Sequence, residues 1–408
     1  MGTVHHSTEI GAASALSANV DAHLAAESIA EAIGERVNTP DLLCLFAAAD
    51  HASQLGLIGD VLRSALRPRC VIGVSAGMIL ADREETEGQP ALSALALSLP
   101  GVEITPFRYR DLPPGDPHAP GVGKTVARDL HISDQTQGVV LLADPFSVPA
   151  NRALALMDAA KDAADLEPPL PVVGGMASSA RQPGGNQLLL DDHLDAAGAV
   201  GVVVSGDVRF DTLVSQGCRP IGKPMVITAC QRNIVKQLGG KRALDALQEL
   251  VETLDRSDRE LLQKGLFVGV VVNEYKPRFG RGDFLVRSVL GVDKDSGALA
   301  FGDLVRVGQT VQFHLRDADT ASEDLQLLLD GQRVADPASA ALVFSCNGRG
   351  RALFGHPNHD ADAVADALAR EKHACPTAGF FAAGELGPIG DRSFVHGHSA
   401  SIAMFRHP

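Results

Sequence analysis

Residues 42–77 read LLCLFAAADHASQLGLIGDVLRSALRPRCVIGVSAG. This segment begins with the apolar run LLCLFAAAD, continues with the amphipathic pattern QLGLIGDVLRSAL, and returns to the short apolar run CVIG. Apolar runs of this length, flanked by glycine or proline and alternating with a helical period, are typical of buried strands with helices packed on the sheet. The segment therefore predicts a strand, a helix, a second strand and then a turn of small residues at 74–77.

The same order recurs twice further along the chain. From residue 139, VVLLADP predicts a strand, NRALALMDAAKDAA a helix, PVVGG a strand entering the turn at 176–179, and AVGVVVSG a closing strand. From residue 341, ALVFSCNGRG, DADAVADALARE, PTAGFF, the turn at 382–385 and HGHSASIAMF repeat that order. An internal repeat predicts units that share a core, with the three glycine-rich turns at equivalent places. The alternative is a chance likeness among segments rich in glycine and alanine.

The chain is expected to form two domains, because 408 residues are too many for one ordinary core. The repeated pattern breaks between residues 205 and 224. Beyond it the sequence predicts two short strands, a Gly-Gly turn, a helix and then a run of antiparallel strands. We therefore predict a two-domain α/β protein with mixed sheets. The predicted limits are an N-terminal extension or helix at 1–38, an N-terminal domain at 39–215 and a C-terminal domain at 216–408.

The composition argues against several classes of partner. The net charge is −14, the 36 lysines and arginines are scattered, and there is no tryptophan, so neither nucleic acid nor an anionic membrane is expected. No apolar stretch approaches the roughly 20 residues that span a bilayer. Residues 1–6 lack the patterns of a secretion signal and of myristoylation. The six cysteines form no CxxC pair, which is typical of reduced thiols, and we expect a cytoplasmic protein.

Six stretches, taken together and in order, resemble the FIST family, whose members have an N-terminal and a C-terminal FIST half. They are residues 73–77 (GVSAG), 173–178 (VGGMAS), 216–225 (QGCRPIGKPM), 344–350 (FSCNGRG), 379–388 (GFFAAGELGP) and 395–400 (VHGHSA). The resemblance implies a sensory or recognition role, with small molecules such as amino acids as ligands. Some members resemble haem-binding gas sensors, and others form the recognition part of a ubiquitin ligase subunit. A separate signalling protein is the expected partner.

Two charged residues in glycine-rich turns are the first candidates for ligand contact. A strand that ends in the turn NGRG at 347–350 predicts exposed backbone N–H groups beside the Arg349 guanidinium, which suits a carboxylate or phosphate. Glu385 lies between apolar neighbours and should have a partner. A free amino acid would place its carboxylate on Arg349 and its ammonium on Glu385. The alternatives are that Arg349 pairs with an internal carboxylate such as Glu385, and that Glu385 only holds its turn.

The histidines raise the question of a metal or of haem. His396 and His398 are two residues apart in a predicted strand and should share one face. His356 and His359 lie in a separate loop, and two nearby pairs of imidazoles could bind a metal or ligate haem. Ordinary hydrogen-bonded histidines are the simpler interpretation. We therefore predict neither a metal nor a cofactor, with a haem-binding gas sensor as an alternative.

The sequence predicts no catalytic constellation. Cys346 ends a buried strand and Ser75 fits the pattern G-x-S-x-G, but neither comes with a recognisable base. The residues after Ser75 also lack the helix of a nucleophile elbow. We therefore predict a binding protein, with a Cys- or Ser-dependent enzyme and a protein-recognition module as alternatives.

The predicted pocket lies between the two halves and is built from the glycine-rich turns. The charged stretch at 82–88 (DREETEG) is interpreted mostly as a solvated loop, although it could line such a pocket. Substituting Arg349 or Glu385 by alanine is expected to leave the fold intact and to weaken binding. The candidate ligand-contacting residues are Arg349, Glu385, Cys346, Asn347, Gly350, Gly384, Ser75, Ser178 and His396.

Overall fold

The computed structural model describes residues 9–167, 169–370 and 374–408. Residues 1–6, on which the expectation about targeting signals rests, lie outside the described residues. The chain forms two compact units. The first contains the chain up to Val214, Leu327–Val395 and Ser399–Pro408, and the second contains Ser215–Gln326 and His396–His398. The domain limits at 38/39 and 215/216 stay a prediction.

The first repeat of the first unit extends from residue 11 to residue 98. Its elements are β1 (Gly11–Ser17), α1 (Ala22–Gly34), β2 (Leu42–Ala48), a 3₁₀ turn (Ala49–Gln54), α2 (Leu55–Leu66), β3 (Cys70–Ala76), β4 (Met78–Ala81), β5 (Glu84–Glu87) and β6 (Leu92–Ser98). Residues 42–77 thus form the strand, helix and strand that the sequence predicts, but the predicted turn at 74–77 is wrong for residues 74–76, which belong to β3. Strand β1 and helix α1 precede them in the same repeat.

The second repeat has the same order of strands and α-helices, with its 3₁₀ turn at a different place. They are β7 (Val102–Arg108), a 3₁₀ turn (Tyr109–Asp111), α3 (Val122–Asp129), β8 (Thr136–Ala143), α4 (Ala150–Ala163), β9 (Val172–Met176), β10 (Leu188–Leu190), β11 (His193–Asp195) and β12 (Ala199–Gly206). The predicted strand at 139, the helix after it and the closing strand are all present.

The third repeat begins with β13 (Arg209–Gln216) and resumes after the residues of the second unit. The intervening elements are β14 (Cys218–Gln231), β15 (Ile234–Leu238), β16 (Lys241–Arg242), α5 (Ala243–Thr253), α6 (Arg256–Lys264), β17 (Phe267–Val271), β18 (Phe284–Asp293), β19 (Ala298–Phe301) and β20 (Thr310–Arg316). The chain then continues with α7 (Ala318–Val334), β21 (Ala338–Cys346), α8 (Arg351–Phe354), α9 (His359–Leu368), β22 (Thr377–Ala382), β23 (Glu385–Ile389), β24 (Arg392–His396) and β25 (Ser399–Arg406). The predicted antiparallel segment is the sheet β14-β20-β17-β18-β19-β15-β16.

Each repeat contributes a short strand to the sheet of another repeat. Strand β4 of the first repeat pairs with β22 of the third, β10 of the second with β3 of the first, and β23 of the third with β9 of the second. The described strands form three mixed sheets with the orders β1-β6-β2-β3-β10-β11, β24-β23-β9-β8-β12-β7 and β13-β25-β21-β22-β4-β5. Because the exchange is cyclic, each of these sheets includes a strand from another repeat.

The three sheets share one apolar core, and helices cover their other faces. In β2, Leu42, Cys44 and Phe46 point into the shared core, whereas Leu43 and Leu45 pack with the residues of α1 and α2. Strand β8 follows the same rule, because alternate side chains of a strand point to opposite faces of the sheet. Both faces are therefore apolar, which explains why these strands read as continuous apolar runs. The α/β class, the mixed sheets and the repeats predicted from the sequence are confirmed. Among the described residues, no helix combines the length and the apolar character needed to cross a membrane.

Candidate functional site

The three glycine-rich turns meet inside the first unit. The Ser178 hydroxyl donates to the Phe381 carbonyl and accepts from the Gly77 N–H at 3.0 Å. The Met176 N–H donates to the Gly384 carbonyl at 2.8 Å. These contacts join the ends of β3, β9 and β22, one strand from each repeat. Of the residues predicted from the sequence, Ser178 and Gly384 are therefore brought together, and both take part in hydrogen bonds that hold the turns.

Ser75 lies next to this junction in a buried polar network. Its hydroxyl is 2.7 Å from the Ser179 hydroxyl and accepts from the Gln187 N–H at 2.8 Å. The Ser179 hydroxyl donates to the Asn186 amide oxygen, and the Asn186 amide nitrogen donates to the Asp144 carboxylate at 2.9 Å. Ser75 and Asn186 are completely buried. Because buried polar groups need partners, this network satisfies the ends of strands from two repeats.

The turn at 347–350 differs from its sequence interpretation, which predicted exposed backbone N–H groups. That expectation is wrong for three N–H groups of the turn, because they already donate within the protein, as does the N–H of the neighbouring Arg351. The pairs are Asn347 to the Ala382 carbonyl at 3.0 Å, Gly348 to the Cys346 sulfur at 3.3 Å, Arg349 to the Cys346 carbonyl at 2.9 Å, and Arg351 to the Glu87 carboxylate at 2.8 Å. Gly350 has a φ of 67°, and a Cβ there would lie 2.8 Å from the Glu87 carboxylate. The turn is thus closed by its own hydrogen bonds.

Arg349 is completely buried and forms a bidentate ion pair with Asp360. Its Nε and Nη2 atoms donate to the two carboxylate oxygens at 2.6 and 2.8 Å. The Ser345 hydroxyl and the His359 ring add bonds to the same carboxylate at 2.6 and 2.9 Å. Burial alone would raise the pKa of Asp360, but the Arg349 charge and these bonds outweigh burial and hold that pKa well below its usual range. The internal partner of the Arg349 fork is therefore Asp360.

Glu385 is the second charged residue predicted from the sequence, and it is also completely buried. One of its carboxylate oxygens accepts from the Ser399 N–H at 3.0 Å and from the Ser399 hydroxyl at 2.7 Å. Burial lowers the pKa of Arg349, but Asp360 first, and then Cys346 and Glu385, raise it above its ordinary value. The four side chains thus form one cluster, and each of them is buried. Contact between a ligand and Arg349 or Glu385 stays a prediction.

The charged stretch at 82–88 forms part of the hairpin β4–β5 and reaches this cluster. The interpretation as a solvated loop holds for Asp82, Arg83, Glu84 and Gly88, which are exposed, and is wrong for Glu85, which is buried. The Glu85 carboxylate accepts from the N–H groups of residues 358, 360 and 361 at 2.9, 2.9 and 3.0 Å. These N–H groups belong to the N-cap residue and the first turn of α9, which offer them no acceptor within the helix, so Glu85 supplies one.

The environment of Glu85 predicts a pH dependence of stability. Burial and the neighbouring Asp360 charge raise the pKa of Glu85 from 4.5 to about 7, against the effect of the three N–H bonds. The protonated acid is therefore favoured in the folded state, and this contribution to stability is lost as the pH rises from 4.5 through 7. We expect the free energy of unfolding of the wild type to fall by up to about 3 kcal/mol, relative to Glu85→Gln, between pH 4.5 and 8. Urea unfolding of both proteins at several pH values measures this difference. A constant difference would contradict the shifted pKa.

An open pocket lies beside this hairpin in the first unit. Its volume is about 670 Å³, within the usual range for small-molecule sites. The Arg351 side chain is exposed and forms no ion pair with any residue that the structure describes. Arg83 in the same lining is paired with Asp362 and Asp366 of α9. The lining residues are Leu16, Ala81, Asp82, Arg83, Glu84, Glu85, Arg351, Pro357 and Asn358.

The histidines do not have the arrangement that the sequence predicts. Strand β24 ends at His396, and His398 has a left-handed φ of 68° before β25 begins, so the two side chains do not share one strand face. His396 is buried, so this candidate residue lines no open surface. The His398 ring packs against Phe267, and burial, together with Arg316 and Arg287, lowers its pKa to about 4.

The side chains described around His359 and the pocket beside Arg351 do not have the arrangement that a metal ion or a haem iron requires of its ligands. The His359 ring stacks on Phe354 at 3.4 Å and bonds to Asp360. In the described residues, no three or more His, Cys, Asp or Glu side chains are grouped so that they could hold a metal ion. The lining of the pocket beside Arg351 contains charged residues and no His, Cys, Met or Tyr that could ligate haem iron. Haem therefore does not fit this pocket.

Sequence reasoning missed Asp360, and it missed the role of Glu85 within the charged stretch at 82–88. A signal for Asp360 was present, because it occupies the same helix face as Ala361, Val364 and Leu368, which are buried. A carboxylate on an apolar helix face needs a cation. For Glu85 the sequence carries no such signal, since its hydrogen-bond partners lie more than 270 residues further along the chain.

Two known domain models match the chain. The FIST N domain model matches residues 41–241, and the FIST C domain model matches residues 243–388. The chain belongs to the FIST family. The resemblance carried by the six motifs is thereby confirmed. FIST domains are sensory domains, so the family gives this chain a sensory role in general terms.

Proteins similar to this chain occur in mycobacteria. The chain is 36% identical over 384 residues to "Uncharacterized protein Rv0628c" of Mycobacterium tuberculosis strain H37Rv, which covers 93% of this chain and 95% of that protein. It is 36% identical over 382 residues to "Uncharacterized protein Mb0898c" of Mycobacterium bovis, which covers 90% of each chain. The similarity therefore extends over both FIST domains.

Proposed function

We propose that this FIST protein is a sensor that binds a small ligand, an amino acid or another small carboxylate, in the pocket beside Arg351. It then signals through a separate protein. The observation that carries the proposal is the position of the pocket. Its wall is the hairpin β4–β5, and on that hairpin Glu85 bonds the first turn of α9, next to the buried pair Arg349–Asp360. A ligand there would lie beside Glu85, which connects the hairpin to the first turn of α9.

The charges around the pocket favour a ligand that carries both signs. The Arg351 guanidinium is exposed and can hold a carboxylate through two parallel hydrogen bonds. Asp82 and Glu84 are exposed carboxylates in the same lining and suit an ammonium group. Arg349 and Glu385 are completely buried, so in this proposal Arg351 and the carboxylates of the hairpin replace them as the contacts of an amino acid.

Glu85 provides a physical route from the pocket to the protein interior. A ligand ammonium near the hairpin favours the ionised form of Glu85, because opposite charges lower the pKa of a carboxyl. Ionised Glu85 is the better acceptor for the three N–H groups of α9. Ligand binding would thus hold the hairpin against α9, and the partner protein would respond to that state.

The proposal is for binding in the cytoplasm rather than for catalysis. The Ser75 hydroxyl contacts another hydroxyl and a backbone N–H, where a nucleophile would need an imidazole or another base. The cysteines in the described residues are all free, as is typical of a reducing compartment. With a net charge of −14 and no tryptophan, a small molecule and a protein are the proposed partners, rather than nucleic acid or membrane.

Calorimetric titration with the twenty standard amino acids and with small carboxylic acids tests this function. We expect at least one of these compounds to bind, and Arg351→Ala to weaken its affinity about tenfold or more, because a charge-assisted bidentate contact is lost. Arg256→Ala is the matched control, since Arg256 is an arginine of the second unit whose side chain is 94% exposed. Absence of binding by the whole set, or equal affinities for wild type and Arg351→Ala, would reject the proposed pocket.

A further inference from the structure

The loop between β17 and β18 in the second unit displays the most exposed aromatic side chain among the described residues. Tyr275 is 97% exposed, although tyrosine normally buries much of its ring. The loop reads NEYKPRFGRGD at 273–283, so basic and aromatic residues follow one another. The proposed ligand pocket involves none of these residues. Their exposure therefore needs a separate explanation.

Hydrogen bonds, an ion pair and ring packing fix the backbone of this loop. Asp283 accepts from the Gly280 N–H at 2.8 Å and also pairs with Lys276. The Glu274 carboxylate accepts from the Thr310 N–H at 2.7 Å, which fixes the loop to the start of β20. At the base of the loop, the Phe279 ring packs edge-on against Phe284. These contacts hold the backbone of the loop while the Tyr275 ring points into solvent.

Apolar side chains accompany Tyr275 at this end of the sheet. Val226 is 43% exposed and lies opposite Thr310 in the pairing of β14 with β20. Val307 is 60% exposed and precedes Gly308, which hydrogen-bonds to the Ile227 carbonyl. The pairing of β14, β20 and β17 therefore brings two exposed valines to the same sheet end as the Tyr275 loop.

Three cations lie within three positions of these residues along the chain, and none has a carboxylate partner among the residues that the structure describes. They are Lys223, Arg278 and Arg306, and each is exposed. Other arginines of the same unit are paired, for example Arg281 with Glu323 and Arg287 with Asp303. We call the six residues Lys223, Val226, Tyr275, Arg278, Arg306 and Val307 the basic face.

The charge of the second unit permits an acidic partner. Its residues include 16 Lys and Arg against 15 Asp and Glu, so the surplus negative charge of the chain belongs to the first unit. Tyrosine and arginine are the residue types that dominate the energetics of protein interfaces. A nucleic acid would need more phosphate contacts than three cations provide and would meet the charge of −14 on the whole chain.

We propose that the basic face docks an acidic segment of a separate protein, one that also carries an apolar side chain to cover Tyr275. Carboxylates of the partner meet Lys223, Arg278 and Arg306, while its apolar residue packs on the tyrosine ring and Val307. This proposal concerns the separate signalling protein of the proposed function, and it assigns the surface of this chain on which that protein docks. It does not depend on the ligand pocket in the first unit.

Photo-crosslinking tests this docking surface in cells of the organism that encodes the chain. We replace Tyr275 with the photoreactive residue benzoylphenylalanine, and make the same replacement at Leu24 in the first unit as a control. Leu24 is 52% exposed. The expected result is an adduct from position 275 that is absent from position 24. Mass spectrometry of the adduct should identify a peptide of another protein that is rich in Asp and Glu.

Charge reversal makes the test quantitative. Arg278→Glu combined with Arg306→Glu should reduce the adduct at least about tenfold, whereas Arg256→Glu should leave it unchanged. Circular dichroism confirms that the variants fold. Absence of an adduct, an adduct with a second copy of this chain or with nucleic acid, or a crosslinked peptide without acidic residues would overturn the proposal. Calorimetry separates the two proposals, because the Arg278/Arg306 variant should keep the wild-type affinity for any small ligand.

Discussion

Arg349→Ala is expected to lower the free energy of unfolding by about 3–5 kcal/mol, the usual effect of breaking a buried ion pair. The substitution leaves the Asp360 carboxylate buried with the Ser345 hydroxyl and the His359 ring, but without the guanidinium that neutralises it. This reverses the expectation from the sequence, in which Arg349→Ala leaves the fold intact. Guanidinium unfolding followed by far-UV circular dichroism measures the change. The loss is a large fraction of the 5–15 kcal/mol by which domains are typically stable.

Arg83→Ala is the control for this prediction, because Arg83 pairs with two carboxylates of the same helix α9 at the surface. Its side chain is 55% exposed, and exposed pairs contribute about 0–1 kcal/mol. Replacing both members of the buried pair, as in Arg349→Met with Asp360→Leu, should recover much of the lost stability, since the buried Asp360 charge is removed together with its partner. If Arg349→Ala were as mild as Arg83→Ala, the buried pair would not stabilise the junction of the repeats.

The sequence predicts the parts of the fold whose residues are distinctly more apolar than the residues that flank them in the chain. Strands β2, β8 and β21 are buried on both faces and read as continuous apolar runs. The strands that open the repeats were missed for identifiable reasons. Strand β1 is made of small residues (GAASALS), and β7 contains Pro106, which is tolerated because β7 lies at a sheet edge. The strand exchange among repeats leaves no local signal, since β4 pairs with residues about 300 positions away.

Less of the candidate site than of the fold could be predicted from the sequence. Arg349 and Glu385 were identified as two candidate ligand contacts in glycine-rich turns, and they do lie in one cluster. The partner that matters most for Arg349 is Asp360, whose position on the apolar face of α9 was the available signal. Glu85 could not be found in this way, because an isolated charged stretch looks the same whether its hairpin faces solvent or a helix terminus. Long-range pairing decides its role.

Gly379→Ala is expected to destabilise the first unit by about 3 kcal/mol or more, beyond the ordinary range for overpacking. Gly379 pairs with Val343 in the parallel register of β21 and β22. A Cβ at this position would lie 1.8 Å from the Val343 carbonyl oxygen, a backbone atom that cannot rotate away. The same glycine recurs in the second repeat, where a Cβ at Gly174 would lie 1.9 Å from the Leu141 carbonyl oxygen. Guanidinium unfolding, or loss of soluble protein on expression, reports the effect.

Gly331→Ala is the control, because Gly331 is exposed in α7 and a Cβ there would meet no atom within 4 Å. Alanine is the better helix former by about 0.5–1 kcal/mol, so this substitution should be neutral or slightly stabilising. If Gly379→Ala behaved like Gly331→Ala, β21 and β22 could separate without loss, and the close strand contact would not be a requirement of the repeat. If instead Gly379→Ala and Gly174→Ala are both severe, the recurring glycine follows from one steric rule. The parallel pair in those two repeats has room for a hydrogen atom at that point and for nothing larger.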